Sequence, residues 1–136
     1  MKGSLKDGII IIEGFMVTPN TKMIDFITYF PSEKIKIIKN EAVRFKQAVL
    51  LDSKYFIVSL RFKEEISSVN LVVSDFTLDD WDYVAKADQH GEWLCKQIGY
   101  PQGLLDENSF SWGKIIQWED FRSHQSQINI LYNNRV

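Results

Sequence analysis

Cysteine is almost absent. Cys95 is the single thiol among 136 residues, so no disulfide can form within the chain and no cysteine-rich metal site can be assembled. A reducing compartment is the simplest setting. Histidine is nearly as scarce: only His90 and His124 occur, with no His-Glu-x-x-His or Cys-x-x-Cys spacing around them. If they share a helix, His90 and Cys95 project about 140° apart at 100° per residue and cannot grip one ion. We expect His90 on a helix surface, His124 in a loop, and no metal. The seven glycines make neither a phosphate-cradling loop nor a Gly-x-Ser-x-Gly elbow, which leaves covalent catalysis without a candidate. Long apolar runs are missing too. Ile9 to Ile12 is far too short for a signal segment or a membrane span, and the chain is expected to be cytoplasmic.

What remains is ordinary globular material, 45% hydrophobic, 25% charged and 13% aromatic, enough for one domain with a sizeable core. The net charge of -2 hides an asymmetry. Residues 1–63 carry 11 Lys/Arg against 6 Asp/Glu, a net of +5, and residues 64–136 carry 5 against 12, a net of -7. An acidic half attracts basic partners by long-range steering, although solubility alone also accounts for it.

Periodicity divides the chain into elements. Ile9 to Ile12 reads as a buried strand that Phe15 to Val17 continues or flanks. Thr18-Pro19 opens a helix with the apolar stripe Met23, Ile24, Phe26, Ile27 and Phe30, closed by Pro31. Alternation of period two follows in Lys34–Ile37, Val43–Lys46, Phe56–Phe62 and Val69–Val73, an antiparallel meander with one wet face. Thr77-Leu78-Asp79-Asp80 looks like a capping box for a long helix with the stripe Trp81, Val84, Ala87, Gly91, Leu94 and Ile98, stopped by Gly99 and Pro101. After a loop over residues 103–109, two strands end the chain. The expected fold is α+β: a twisted antiparallel sheet of about six to seven strands packed by two helices, in the order β-α-β-β-β-β-α-β-β, as a single domain over residues 1–136.

Four groups of polar residues invite chemistry. Asp79, Asp80 and Asp82 gather where a helix N-terminus stabilises carboxylates by roughly 0.3–1 kcal/mol each, which explains them without a magnesium ion. Asp120, Arg122 and His124 place an acid, a cation and a histidine in one loop, a possible general acid–base set for a small hydrolase or nuclease. Lys34, Lys36, Lys39, Arg44 and Lys46, interleaved with Phe45, suggest single-stranded nucleic-acid binding. Alternation, however, turns the cations away from Ile35, Ile37, Val43 and Phe45, so we expect a solvated face and no nucleic acid. Finally, all four tryptophans fall in the acidic half. Trp81 and Trp112 lie on inward stripes, whereas Trp93 sits one step off its stripe and Trp118 adjoins Glu119-Asp120. An exposed ring among acids is what a hot spot for a basic protein needs. The expected partner surface is therefore Asp79, Asp80, Asp82, Glu92, Trp93, Trp118, Glu119 and Asp120. A ligand-binding α+β domain of the cystatin-like kind is a further possibility, which a large apolar cavity would favour.

Trp93-Leu94, Gly99, Pro101, Phe110-Ser111-Trp112-Gly113-Lys114-Ile115, Asp120-Phe121-Arg122 and Ile128-Asn129-Ile130-Leu131-Tyr132 are similar to segments of small bacterial immunity proteins of contact-dependent and other polymorphic toxin systems. The resemblance spans the last third of the chain. It implies a cytoplasmic, non-enzymatic protein without cofactors that binds one cognate toxin domain, often a basic nuclease, and blocks its active site. It carries over no site residue by motif.

Overall fold

The computed structural model describes residues 4–75, 77–78, 82–99, 107–120, 122 and 125–132, without the side chains of Tyr83, Glu107, Glu119 and Asp120. After one turn of 3-10 helix at Leu5–Asp7, β1 (Ile10–Ile12) and β2 (Phe15–Val17) form a hairpin around Glu13 and Gly14. Both turn residues have positive φ, 49° and 84°, the two-residue geometry whose twist matches that of the flanking strands. Phe15 to Val17 thus flanks Ile10–Ile12 as a strand of its own rather than continuing it. Helix α1 (Met23–Tyr29) begins several residues later than Thr18-Pro19 suggests. The Thr18 amide and the Asn20 amide are instead held by the Thr21 and Thr18 hydroxyls, a local turn that competes with the helix.

Five strands follow: β3 (Ile35–Ile38), β4 (Ala42–Phe45), β5 (Val49–Leu51), β6 (Lys54–Lys63) and β7 (Glu65–Val73). Helix α2 (Tyr83–Ile98) and three more strands, β8 (Glu107–Phe110), β9 (Gly113–Asp120) and β10 (Gln125–Tyr132), complete the chain. Eight strands form one antiparallel sheet in the order β3-β4-β6-β7-β10-β9-β8, with β5 paired to β6. The fold is α+β with two helices and a large antiparallel sheet, as expected. Its details differ, because the region between the helices holds five strands and the last third holds three. The extra strand at the end arises from a tight turn at Ser111-Trp112, which splits one apolar run in two.

Phe56, Val58, Leu60 and Phe62 of β6, Val69, Leu71 and Val73 of β7, and Ile128, Ile130 and Tyr132 of β10 are buried on one face of the sheet. Both helices lie on that face. Phe26 of α1 and Phe30 just past its end meet Phe45 with ring centroids 5.9 and 5.1 Å away, and Phe26 meets Phe15 at 5.1 Å. Such pairs add about 0.5–1.5 kcal/mol each beyond area burial. Helix α2 packs on β7, β9 and β10. Its cap is Asp82, whose carboxylate accepts from the Ala85 amide at 3.1 Å, rather than Thr77, whose hydroxyl is taken by Asp75. Gly99, at φ 78°, ends the helix as expected. The opposite face of the sheet is covered by no helix or loop among the described residues.

A buried histidine and an uncovered sheet face

His90 is fully buried, not on the helix surface, because α2 turns a broad face inward that includes Ala87, His90, Gly91, Trp93, Leu94 and Ile98. Val84, counted on the apolar stripe, is 53% exposed instead. The imidazole spans three elements. Its Nε2 accepts from the Val73 amide of β7 at 2.9 Å, and its Nδ1 lies 2.9 Å from the buried Ser126 hydroxyl of β10. An amide can only donate, so Nε2 carries a lone pair and the neutral ring holds its proton on Nδ1. That proton points at Ser126 Oγ. The pair therefore has the wrong tautomer for a base that would activate the serine. Burial, followed by the charge of Lys86, lowers the His90 pKa to about 4, which keeps the ring neutral. His90 is a cross-brace of the core.

Trp93 is likewise inside, 2% exposed, with its indole N–H donated to the Leu51 carbonyl at 2.9 Å and its ring edge-on to Phe56. It cannot be a contact for a partner. Asp82 is engaged in capping, and Glu92 sits between Lys54 at 3.5 Å and Lys96 at 3.8 Å. Trp118 is half-buried on the uncovered face, so Asp82 and Glu92 of α2 and Trp118 of β9 occupy opposite sides of the sheet. Asp79, Asp80, Trp81 and His124 lie outside the described residues, as do the side chains of Glu119 and Asp120; Arg122 is exposed. The eight residues expected to form one acidic surface are not brought together where their positions are described.

A recess of about 450 Å³ opens beside the β5–β6 turn, lined in part by Ser53, Lys54, Tyr55, Asp75 and Gln89. Its charged groups are already satisfied. Lys54 pairs with Glu92, and Asp75 accepts from Gln89 and Thr77, bonds that lower its pKa to about 2. Among the described residues no three His, Cys, Asp or Glu side chains gather to hold a metal ion, and no helix is long and apolar enough to cross a membrane.

The uncovered face carries an ordered set of outward polar groups. Successive register pairs join Lys36 to Arg44, Arg44 to Ser59, Ser59 to Asn70, Asn70 to Asn129 and Asn129 to Ile116, one transverse row over six strands. Asn70 Nδ2 donates to Asn129 Oδ1 at 2.7 Å and also to Gln127 Oε1, which fixes all three amides. Gln127 stands opposite Trp118. Tyr55 and Ile57, 54% and 41% exposed, add apolar area on β6. The cations Lys36 and Arg44 share this face, as the alternation implies, while Phe45 is buried on the other. Sequence reading missed the amide set because its members are 57 and 59 residues apart and meet only through the pairing of β7 with β10. Its one sequence signal is that Gln127 and Asn129 alternate with Ile128 and Ile130.

No family model matches the chain, and no solved structure matches it. Among curated proteins it is similar to pectate lyase B of Paenibacillus amylolyticus, with 26% identity over 112 residues that make up 81% of this chain. The chain spans 27% of the length of that protein.

Proposed function

We propose that this chain is a non-enzymatic binding module that holds its partner on the uncovered face of the sheet. The observation that carries the reading is the transverse row itself: outward amides locked in place by one another, flanked by Trp118 and by the half-exposed Ile57 and Tyr55, on a face with no described cover. Preorganised polar groups beside rigid aromatic area lose little entropy on binding. The locked tautomer of His90 supports the same reading, since the buried Ser126–His90 contact is unsuited to nucleophilic work.

The resemblance to immunity proteins makes a cognate toxin domain the partner on this reading, bound without any cofactor of the chain. Co-expression with the product of the adjacent gene tests it. The expected result is a complex that survives purification and protects cells from that product, weakened by Ile57→Glu or Trp118→Ala. A toxin domain that passes the protein unbound, with no protection, refutes it.

A second reading is favoured by the similarity to pectate lyase B. Pectate is an acidic polysaccharide, and a module that accompanies such chemistry would hold the polymer while another part of a larger protein acts on it.

A further inference from the structure

We propose that the row running from Lys36 through Arg44, Ser59 and Asn70 to Asn129 seats a polyuronate, a polysaccharide bearing carboxylates, laid across the strands. The inference rests on the reading of the uncovered face as the binding surface.

Charge comes first. Lys36 and Arg44 stand directly opposite each other in the β3–β4 register, an arrangement that like charges make unfavourable. No described carboxylate is paired with either, whereas Lys34 meets Glu13 at 3.7 Å and Arg61 of the same face meets Glu41 at 3.9 Å. An anionic ligand supplies what the pair lacks. The Arg44 guanidinium presents a planar fork matched to a carboxylate, and Lys36 adds a mobile point charge.

Hydroxyl recognition comes next along the row. Both hydrogens of Asn70 Nδ2 are spent on Gln127 and Asn129. That leaves Asn70 Oδ1 as an acceptor and Gln127 Nε2 and Asn129 Nδ2 as donors, none of them with a described protein partner. A fixed mixture of donors and acceptors suits sugar hydroxyls, which do both. Trp118, opposite Gln127, offers a flat apolar surface to the C–H side of a sugar ring. From Lys36 to Ile116 the row crosses five inter-strand gaps of about 4.8 Å, roughly 24 Å in all, room for several sugar units.

A single-stranded nucleic acid would satisfy the same cations, but it needs rings for base stacking among them. The ring interleaved with these cations, Phe45, is 4% exposed and faces the core. Trp118 lies at the far end of the row, on β9. The spacing of charge from aromatic area fits a polymer of several units, in which the carboxylate of one unit meets the cations while the ring face of another lies on Trp118.

The test is affinity electrophoresis of the intact chain through gels containing de-esterified homogalacturonan, with dextran gels as the neutral comparison and mobility shift on single-stranded DNA as the anionic one. Retardation by homogalacturonan alone, falling with added salt and about tenfold weaker in the double variant Lys36→Gln/Arg44→Gln, supports the inference. Asn129→Ala weakens retardation too, with the thermal melt checking that the fold persists. Absence of retardation, equal binding to DNA, or indifference to the double variant overturns it. A toxin domain captured through Trp118 and Ile57 without any retention by homogalacturonan overturns the polysaccharide and leaves the binding face standing. Face variants that leave every captured partner in place overturn both.

Discussion

Acidification from pH 7 to 4.5 should remove about 2.5 kcal/mol of stability through His90 alone. In the unfolded chain this imidazole takes up a proton near 6.5, but in the fold it does so only near 4, because burial and Lys86 both oppose the charge. Unfolding is therefore coupled to proton uptake between those two values. The contribution is fully present above pH 6.5 and is lost as pH falls, by about 1.4 kcal/mol per pH unit over roughly two units. Urea denaturation at half-unit steps measures it, with His90→Gln as the reference. Glutamine can keep an acceptor for the Val73 amide yet carries no titratable group. Wild type should lose stability steeply across the window while the variant changes little. Asp75, held near 2 by its bonds to Gln89 and Thr77, titrates below the window and does not confound the comparison. Parallel curves for the two proteins, or an imidazole NMR titration that places His90 at 6 or above, would refute the reasoning. A nitrogen-resolved spectrum showing the proton on Nε2 would refute the tautomer.

Three further substitutions test the core and the helix start. A Cβ at Gly113 would fall 2.0 Å from the Leu131 carbonyl oxygen, so Gly113→Ala should cost more than about 3 kcal/mol or prevent folding, and a wild-type melting temperature would contradict it. Trp93→Phe keeps most of the ring but removes the indole donor to the Leu51 carbonyl, an expected loss of about 0.5–1.5 kcal/mol in urea titrations; a change below a few tenths would show that the bond is not needed. Asp82→Ala should cost about 1 kcal/mol, with Asp82→Asn nearly neutral, and equal losses in the two variants would argue against capping.

Period-two alternation made β6 legible: Phe56, Val58, Leu60 and Phe62 are buried, as their spacing requires, and Gly99 ends α2 in the left-handed region as its position implies. The same alternation put Lys36 and Arg44 on the outward face. Sequence failed where a polar or bulky residue had an internal partner. His90 reads as a surface residue until the Val73 amide and the Ser126 hydroxyl are known, and Trp93 reads as off-stripe until the Leu51 carbonyl is placed 42 residues away. The turn at Ser111-Trp112, inside one continuous apolar run, was also invisible. The binding face required strand order above all, because β7 and β10 are neighbours in the sheet but lie on either side of α2 in the chain.

The tyrosine at the end of β10 reaches back to the start of the chain, donating from Tyr132 Oη to the Gly8 carbonyl, and Trp112 Nε1 donates to the Lys6 carbonyl beside it. These clasps close loops of 124 and 106 residues. During synthesis the β3–β7 meander can pair as it emerges, since its contacts are local in sequence. Lys6 and Gly8, however, must wait for Trp112 and Tyr132 before they can dock. This segment is thus the closing stitch of the domain: it is made before the strands it clasps and docks only after them.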